Sequence, residues 1–301
     1  MKNLLITGAN GLLGHQICED CLQSGHNLFG LVHTMPPSPL RGVTYLPIDL
    51  GSNWRTEDLP THVDAIIHLA QSPNFRDFPK SALEIFRVNV ESTARLLDYA
   101  KNTGVRKFIL ASSGGLYGMS RKAHTETSSI LSPEKLDYYL ASKLASEMLT
   151  QNYSRIFQTT ILRFFFVYGL RQNRSMLIPR LLDNINKGNK IDLQGADGLH
   201  INPVHVADAS AATLASLETN ESDLINIAGP DILSIREICE AMGSILGITP
   251  KFEVQPGGPA ALIGDNQRMR EKLHQPKIRL IDSIKEMIEA NNGLAQAKTK
   301  E

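Results

Sequence analysis

Little in this 301-residue sequence points toward a membrane, a nucleic acid or an oxidising compartment. Cysteine occurs three times, too few for a disulfide-stapled framework. Cys18 and Cys21 form a C-x-x-C, but no second pair accompanies them and Cys239 lies far along the chain. They read as reduced thiols on a helix face, so no metal site is expected and the expected compartment is cytoplasmic. Charge of one sign is not in excess: 31 basic residues balance 31 acidic ones. Nothing there recruits nucleic acid or an anionic lipid surface. No apolar run has the length a bilayer span needs. The apolar start Met1 to Ile6 is interrupted by Gly8 and Asn10, which makes a poor signal peptide. The expected partner is a small-molecule substrate.

Two motifs stand against these absences. The first is Thr7-Gly8-Ala9-Asn10-Gly11-Leu12-Leu13-Gly14. A short apolar run, Asn3 to Thr7, precedes it, and a helical pattern through Leu12, Leu13, Ile17 and Leu22 follows. This reads as strand, tight turn and helix, the cradle of a dinucleotide. Gly8 allows the turn, Gly11 leaves room for a pyrophosphate, and Gly14 lets the helix lie close. The helix N-terminus then faces the diphosphate. An ordinary glycine-rich turn is the alternative.

The second motif is Tyr139-Leu140-Ala141-Ser142-Lys143. Residues four apart share a helix face, so the phenol and the ammonium can point into one pocket. Lowering a phenol pKa from about 10 to about 7 takes roughly 4 kcal/mol. A positive charge at about 4 Å, at an effective dielectric of about 20, supplies about that much. Two solvent-facing helix residues are the alternative here. Tyr138 has Ser142, not lysine, four residues on and lies about 100° around the helix.

Strands are expected near 3–7, 27–32, 43–47, 64–69, 106–112 and 159–163, with helices near 12–24, 80–103 and 137–153. This alternation implies an α/β fold: a Rossmann-type doubly wound parallel sheet. After about residue 170, helices near 176–187, 207–217, 234–246 and 280–290 are separated by short strands.

The glycine spacing, with Thr7 before it, resembles the extended branch of the short-chain dehydrogenase/reductase superfamily. So do Ile66-Ile67-His68-Leu69-Ala70, Asn89-Val90, Lys107 to Gly118, Arg163 to Gly169 and Val204 to Asp208. The resemblance covers nearly the whole chain in the right order. It is to NAD(P)-dependent epimerases, dehydratases and reductases, many acting on nucleotide sugars.

The resemblance implies an NAD(P)-binding domain over 1–170, rejoined by some later segments, a substrate-binding lobe over 171–290, and a polar tail over 291–301. It implies cofactor contacts at Gly8, Asn10, Gly11, Leu12, Leu13 and Gly14. Further contacts are expected at His33, Asp49, Leu50, Leu69, Ala70, Asn89 and Phe166, together with Tyr139 and Lys143. Counting back four residues from Tyr117 places the third catalytic group at Ser113, beside Tyr139 and Lys143. Ser112 is the competing assignment. Ser113 and Gly114 are also expected near substrate. A homodimer through helices 80–103 and 137–153 is implied as well.

Four departures narrow the function. Dehydratases of this kind carry Asp-Glu after the catalytic hydroxyl; here Gly114-Gly115 stand there, which disfavours dehydration. The second strand and its end, Leu28 to Thr34, carry no acid to bind both ribose hydroxyls, which tilts the cofactor expectation slightly from NAD to NADP, with Arg41 able to fold back. Phe166 stands where nucleotide-sugar members have a substrate-touching asparagine. Two diphosphate-binding arginines are missing, around His200-Ile201-Asn202-Pro203 and Gln255-Pro256-Gly257. Arg171, Arg174, Arg180, Arg268 and Arg270 are the available replacements. Three functions follow: a nucleotide-sugar 4-epimerase or 4-keto reductase; an NADPH-dependent reductase of a smaller carbonyl compound; or a dinucleotide sensor without chemistry.

Overall fold

In strand β1 (Asn3–Thr7), Leu4 and Ile6 pack to one side of a sheet and Leu5 to the other, and all three are fully buried. A strand buried on both faces needs this continuous apolar run rather than alternation. The computed structural model describes residues 1–258 and 260–298. Its centre is a parallel sheet that β1 shares with β2 (Asn27–Val32), β3 (Val43–Pro47), β4 (Ala65–His68), β5 (Lys107–Ser113) and β6 (Gln158–Phe164). Strands β7 (Lys190–Gln194) and β8 (Leu199–Ile201) lie outside it, and β9 (Asp223–Ile227) returns to it as the seventh strand.

The order is β3-β2-β1-β4-β5-β6-β9. The chain winds outward from β1 in one direction, then restarts at β4 in the other. The crevice at the strand C-termini between β1 and β4 is the topological switch point, where such sheets bind ligands. Helices α1 (Leu12–Gln23), α2 (Ala82–Phe86), α3 (Ser92–Thr103) and α4 (Tyr138–Tyr153) cover the sheet; α5 (Leu177–Asn186) belongs to the smaller lobe, and α6 (Val206–Ala215) packs on α1.

The lobe has its own core. Helices α5, α7 (Ile235–Leu246) and α9 (Leu280–Lys298) enclose Tyr168, Leu193, Ile238 and Ile284. Short strands β10 (Leu233–Ser234), β11 (Lys251–Gln255) and β12 (Ala260–Leu262) pair with β8, β7 and β8 respectively. Helix α8 (Gln267–Lys272) packs back against β9. Helix α9 runs into the expected polar tail; residues 299–301 of that tail lie outside the described residues.

The expected helix over 80–103 is interrupted. Residues Arg87–Glu91 form a π-helical turn between α2 and α3. Cys18 and Cys21 are buried in the core between α1 and the sheet, and burial pushes both thiols up to about 12. Among the described residues, no helix is long and apolar enough to cross a membrane, and no group of three His, Cys, Asp or Glu could hold a metal.

Candidate active site

The turn from β1 into α1 sets the floor of the switch-point crevice. Gly8 has φ +67°, a left-handed conformation that side chains disfavour. A Cβ at Gly14 would drive into the Gly8 carbonyl oxygen, so only glycine lets α1 begin this close to the strand. Thr7 fastens the turn to β4. Its Oγ1 accepts from the backbone N–H groups of Leu69 (3.1 Å) and Ala70 (3.0 Å) and bonds His68 Nδ1 at 2.7 Å. Burial, reinforced by the Lys143 charge, pushes the His68 pKa down to about 3, so its ring is neutral.

Two cavities meet at this floor. One, of about 630 Å3, is lined by His33, Asp49, Leu50 and Ala70. The other, of about 750 Å3, is lined by Leu12, Ser113, Tyr139, Lys143 and Phe166. Gly8, Asn10, Gly11 and Leu69 line both. An elongated ligand laid across α1's first turn would have one end at Asp49 and the other at Tyr139. That shape, with bare backbone at its middle, fits a dinucleotide. Ser112 Oγ, buried beside the second cavity without a hydrogen-bond partner, is a polar group such a ligand could satisfy.

Helix α4 delivers Tyr139 and Lys143. Asp137 caps it, its carboxylate accepting from Leu140 N at 2.7 Å. The π turn clamps it: Asn89 Nδ2 donates to Ser142 Oγ (2.8 Å), and Ser146 Oγ donates to the Asn89 carbonyl (2.8 Å). Asn89 is buried and lines neither cavity, so it supports the site rather than touching a ligand.

Lys143 Nζ donates to the Ala111 carbonyl at 3.0 Å and lies 5.9 Å from the centre of the Tyr139 ring. Burial lowers its pKa to about 8, opposed by Glu147 one turn on, so it stays charged at pH 7. Tyr139 is pushed up to about 12, first by burial, with a hydrogen bond from Ser113 working the other way. Without a ligand, then, the phenol is held protonated.

Other expected residues divide sharply. Asn10 and Leu13 line the cavity as expected, and Gly14 does so at its edge. Gly114 is buried against the Phe165 ring and lines neither cavity; Gly115, packed against Leu140 and Ser113, lines a third, adjoining one. Arg171 lines the catalytic cavity, whereas Arg174 is held by Asp183 and Arg268 by Asp223. Arg180 and Arg270 line neither cavity.

Gln71, Phe75 and Arg76 escaped the sequence analysis. The Tyr139 hydroxyl donates to Gln71 Oε1 at 3.3 Å, and the Phe75 ring lies 4.9 Å from the Tyr139 ring. Their one sequence signal is position, immediately after β4 at the switch point.

Comparison with known proteins agrees with this geometry. The model of the NAD dependent epimerase/dehydratase family matches residues 4–228. A Bacillus subtilis (strain 168) protein named uncharacterized UDP-glucose epimerase YtcB is 27% identical, with 98% of this chain and 99% of that protein covered. A Streptomyces dTDP-4-dehydro-6-deoxy-D-allose reductase is 26% identical over 90% of each. The crystal structure of UDP-glucuronic acid 4-epimerase from Bacillus cereus, in complex with UDP-glucuronic acid and NAD, superposes with a TM-score of 0.85 at 25% identity, covering 97% of this chain and 99% of that one.

Proposed function

This chain belongs to the NAD dependent epimerase/dehydratase family, and from that membership we propose that it is a 4-epimerase of a nucleotide sugar. The observation that carries the reading is the pair of joined cavities, with Tyr139, Ser113 and Lys143 at one end and the Gly8–Gly14 turn at their junction.

Bound NAD would supply a reversible acceptor for the hydride from the sugar's C4. Tyr139 takes the C4 hydroxyl proton at its phenolic oxygen. Ser113 donates a hydrogen bond to the same substrate oxygen and steadies it as it becomes a ketone. Lys143 holds a positive charge behind the phenol and favours its ionised form. Gly114-Gly115 offer no acid to expel a second hydroxyl, so the keto compound goes back to an alcohol rather than on to dehydration.

The cofactor is NAD, the reverse of the slight tilt to NADP. The acid missing from the end of β2 is offset by Asp49 past β3, whose Oδ1 lies 3.2 Å from His33 Nδ1 in the adenosine-side cavity. That carboxylate disfavours a ribose 2′-phosphate. Arg41 is exposed and lines neither cavity, so it offers no compensation. The NAD in the Bacillus cereus epimerase supports the same choice.

Incubation of the protein with catalytic NAD and a panel of UDP- and dTDP-sugars should interconvert C4 epimers with no net change in absorbance at the reduced-cofactor band. Tyr139→Phe should slow this by about 10²–10⁴-fold with NAD binding retained; unchanged turnover would remove the assignment. The similarity to Streptomyces 4-keto reductases favours a second reading, in which reduced cofactor is consumed one for one.

A further inference from the structure

A third cavity, of about 720 Å3, opens from the catalytic one. The two share Ser113, Tyr139 and Phe166, so the mouth of this annex lies at the reacting oxygen. Its walls are apolar: Met119, Leu131, Leu140, Leu199 and Leu262, with the Phe78 ring stacked on Tyr138 at 4.9 Å. Two charged residues line it as well. Asp137 caps α4, and the Arg76 guanidinium lies over the Phe75 ring at 4.8 Å.

Phe166 strengthens the contrast. The resemblance places a substrate-touching asparagine at this position, and an amide there would offer both a donor and an acceptor. Here a phenyl ring faces both cavities from a backbone at φ +46°, a conformation that asparagine tolerates and bulky residues rarely adopt. A sugar hydroxyl pushed into this annex would lose water and find few partners, whereas an apolar group would gain from burial.

Resting on the 4-epimerase reading, we propose that the annex receives an apolar substituent of the transformed sugar ring, so that the enzyme prefers deoxygenated or acylated nucleotide sugars to fully hydroxylated ones. The chemistry is shared by a 6-deoxy methyl and the methyl end of an N-acetyl group, whose amide stays at the annex mouth.

Matched ligands separate these from the nucleotide. UDP-glucose is compared with UDP-6-deoxyglucose, and separately with UDP-N-acetylglucosamine, by calorimetric titration into NAD-loaded protein and by kcat/KM. The methyl-bearing member of at least one pair should bind about tenfold tighter, and the pair that discriminates identifies the substituent. Leu131→Asn should bring that ratio toward one. Met119→Gln, at an exposed position that folding does not depend on, should do so in part.

NAD affinity reports whether each variant is folded. Equal or reversed preference, with UDP-sugars still bound, overturns this inference and leaves the epimerase reading standing. A preference that both folded variants leave untouched overturns the placement in the annex. Failure of every nucleotide sugar to bind, with NAD bound normally, overturns the epimerase reading and this inference together.

Discussion

His68 shows how one residue couples the site to stability. Its ring is bonded on both sides, to Thr7 Oγ1 at 2.7 Å and Thr93 Oγ1 at 3.0 Å, and ties β1 to β4 and α3 below the crevice. An unfolded histidine titrates near 6.5; burial holds this one down at about 3. Between those values the unfolded chain binds a proton that the native protein does not. The contribution is therefore complete above about pH 6.5 and is lost as pH falls toward 3, at roughly 1.4 kcal/mol per pH unit across the window. Urea midpoints measured at pH 7 and pH 5 should fall more steeply for the natural protein than for His68→Gln. Parallel slopes would show that His68 is not the group responsible. The sequence disclosed Ile66-Ile67-His68 as a strand end, but not the burial that neutralises the ring. Burial at that position depends on Thr7 and Thr93, far away in sequence, meeting across the sheet.

At the scale of elements, legibility followed local physics. The central strands could be read because burial on both faces demands uninterrupted apolar runs, as in Ala65–His68 and Lys107–Ser113. The glycine turn could be read because two of its glycines meet steric needs that no other residue satisfies. The π turn at Arg87–Glu91 could not. Its apolar spacing resembles a continuous helix, and the extra residue is accommodated because the Asn89 side chain accepts from Ser72 N (3.0 Å) and donates to Ser142 Oγ (2.8 Å), neither of them a neighbour in sequence. The same distinction explains the arginines: sequence lists candidates, and only packing shows that Asp183 and Asp223 already hold two of them. A prediction belongs here. Gly14→Ala would force α1 away from the Gly8 carbonyl and tilt the free N–H groups at its first turn off the diphosphate. NAD affinity should drop at least about tenfold by fluorescence titration, while circular dichroism stays that of the folded protein. An alanine variant with undiminished NAD affinity would mean that close approach of this helix is not what builds the cradle.

For the whole molecule, the sequence indicated two regions but not how they interleave. Strand β9 and helix α6 are separated from the first domain by the α5–β8 segment, yet they complete its sheet and cover α1. The helical pattern near 207–217 marked α6 as a helix, but nothing local in it or in β9 showed which part of the first domain each would join. On the helices that the resemblance implies for a homodimer contact, three large apolar side chains are exposed. Helices α3 and α4 pack side by side, and the outer surface of α2 and α4 carries Leu83, Phe86 and Met148 at 59%, 44% and 57% exposure. Exposed large apolar side chains on neighbouring helices are the natural candidates for an association surface. A second copy related by a two-fold axis would place the same stripe against itself and make a four-helix contact. None of the three residues lines the joined cofactor and catalytic cavities, so association and chemistry can be separated. Sedimentation equilibrium should give a dimer for the natural chain. The double change Leu83→Glu with Phe86→Glu, which sets like charges face to face across the axis, should give a monomer that still binds NAD. A natural chain that sediments as a monomer at micromolar concentration would remove the two-fold contact and leave the stripe as ordinary exposed surface.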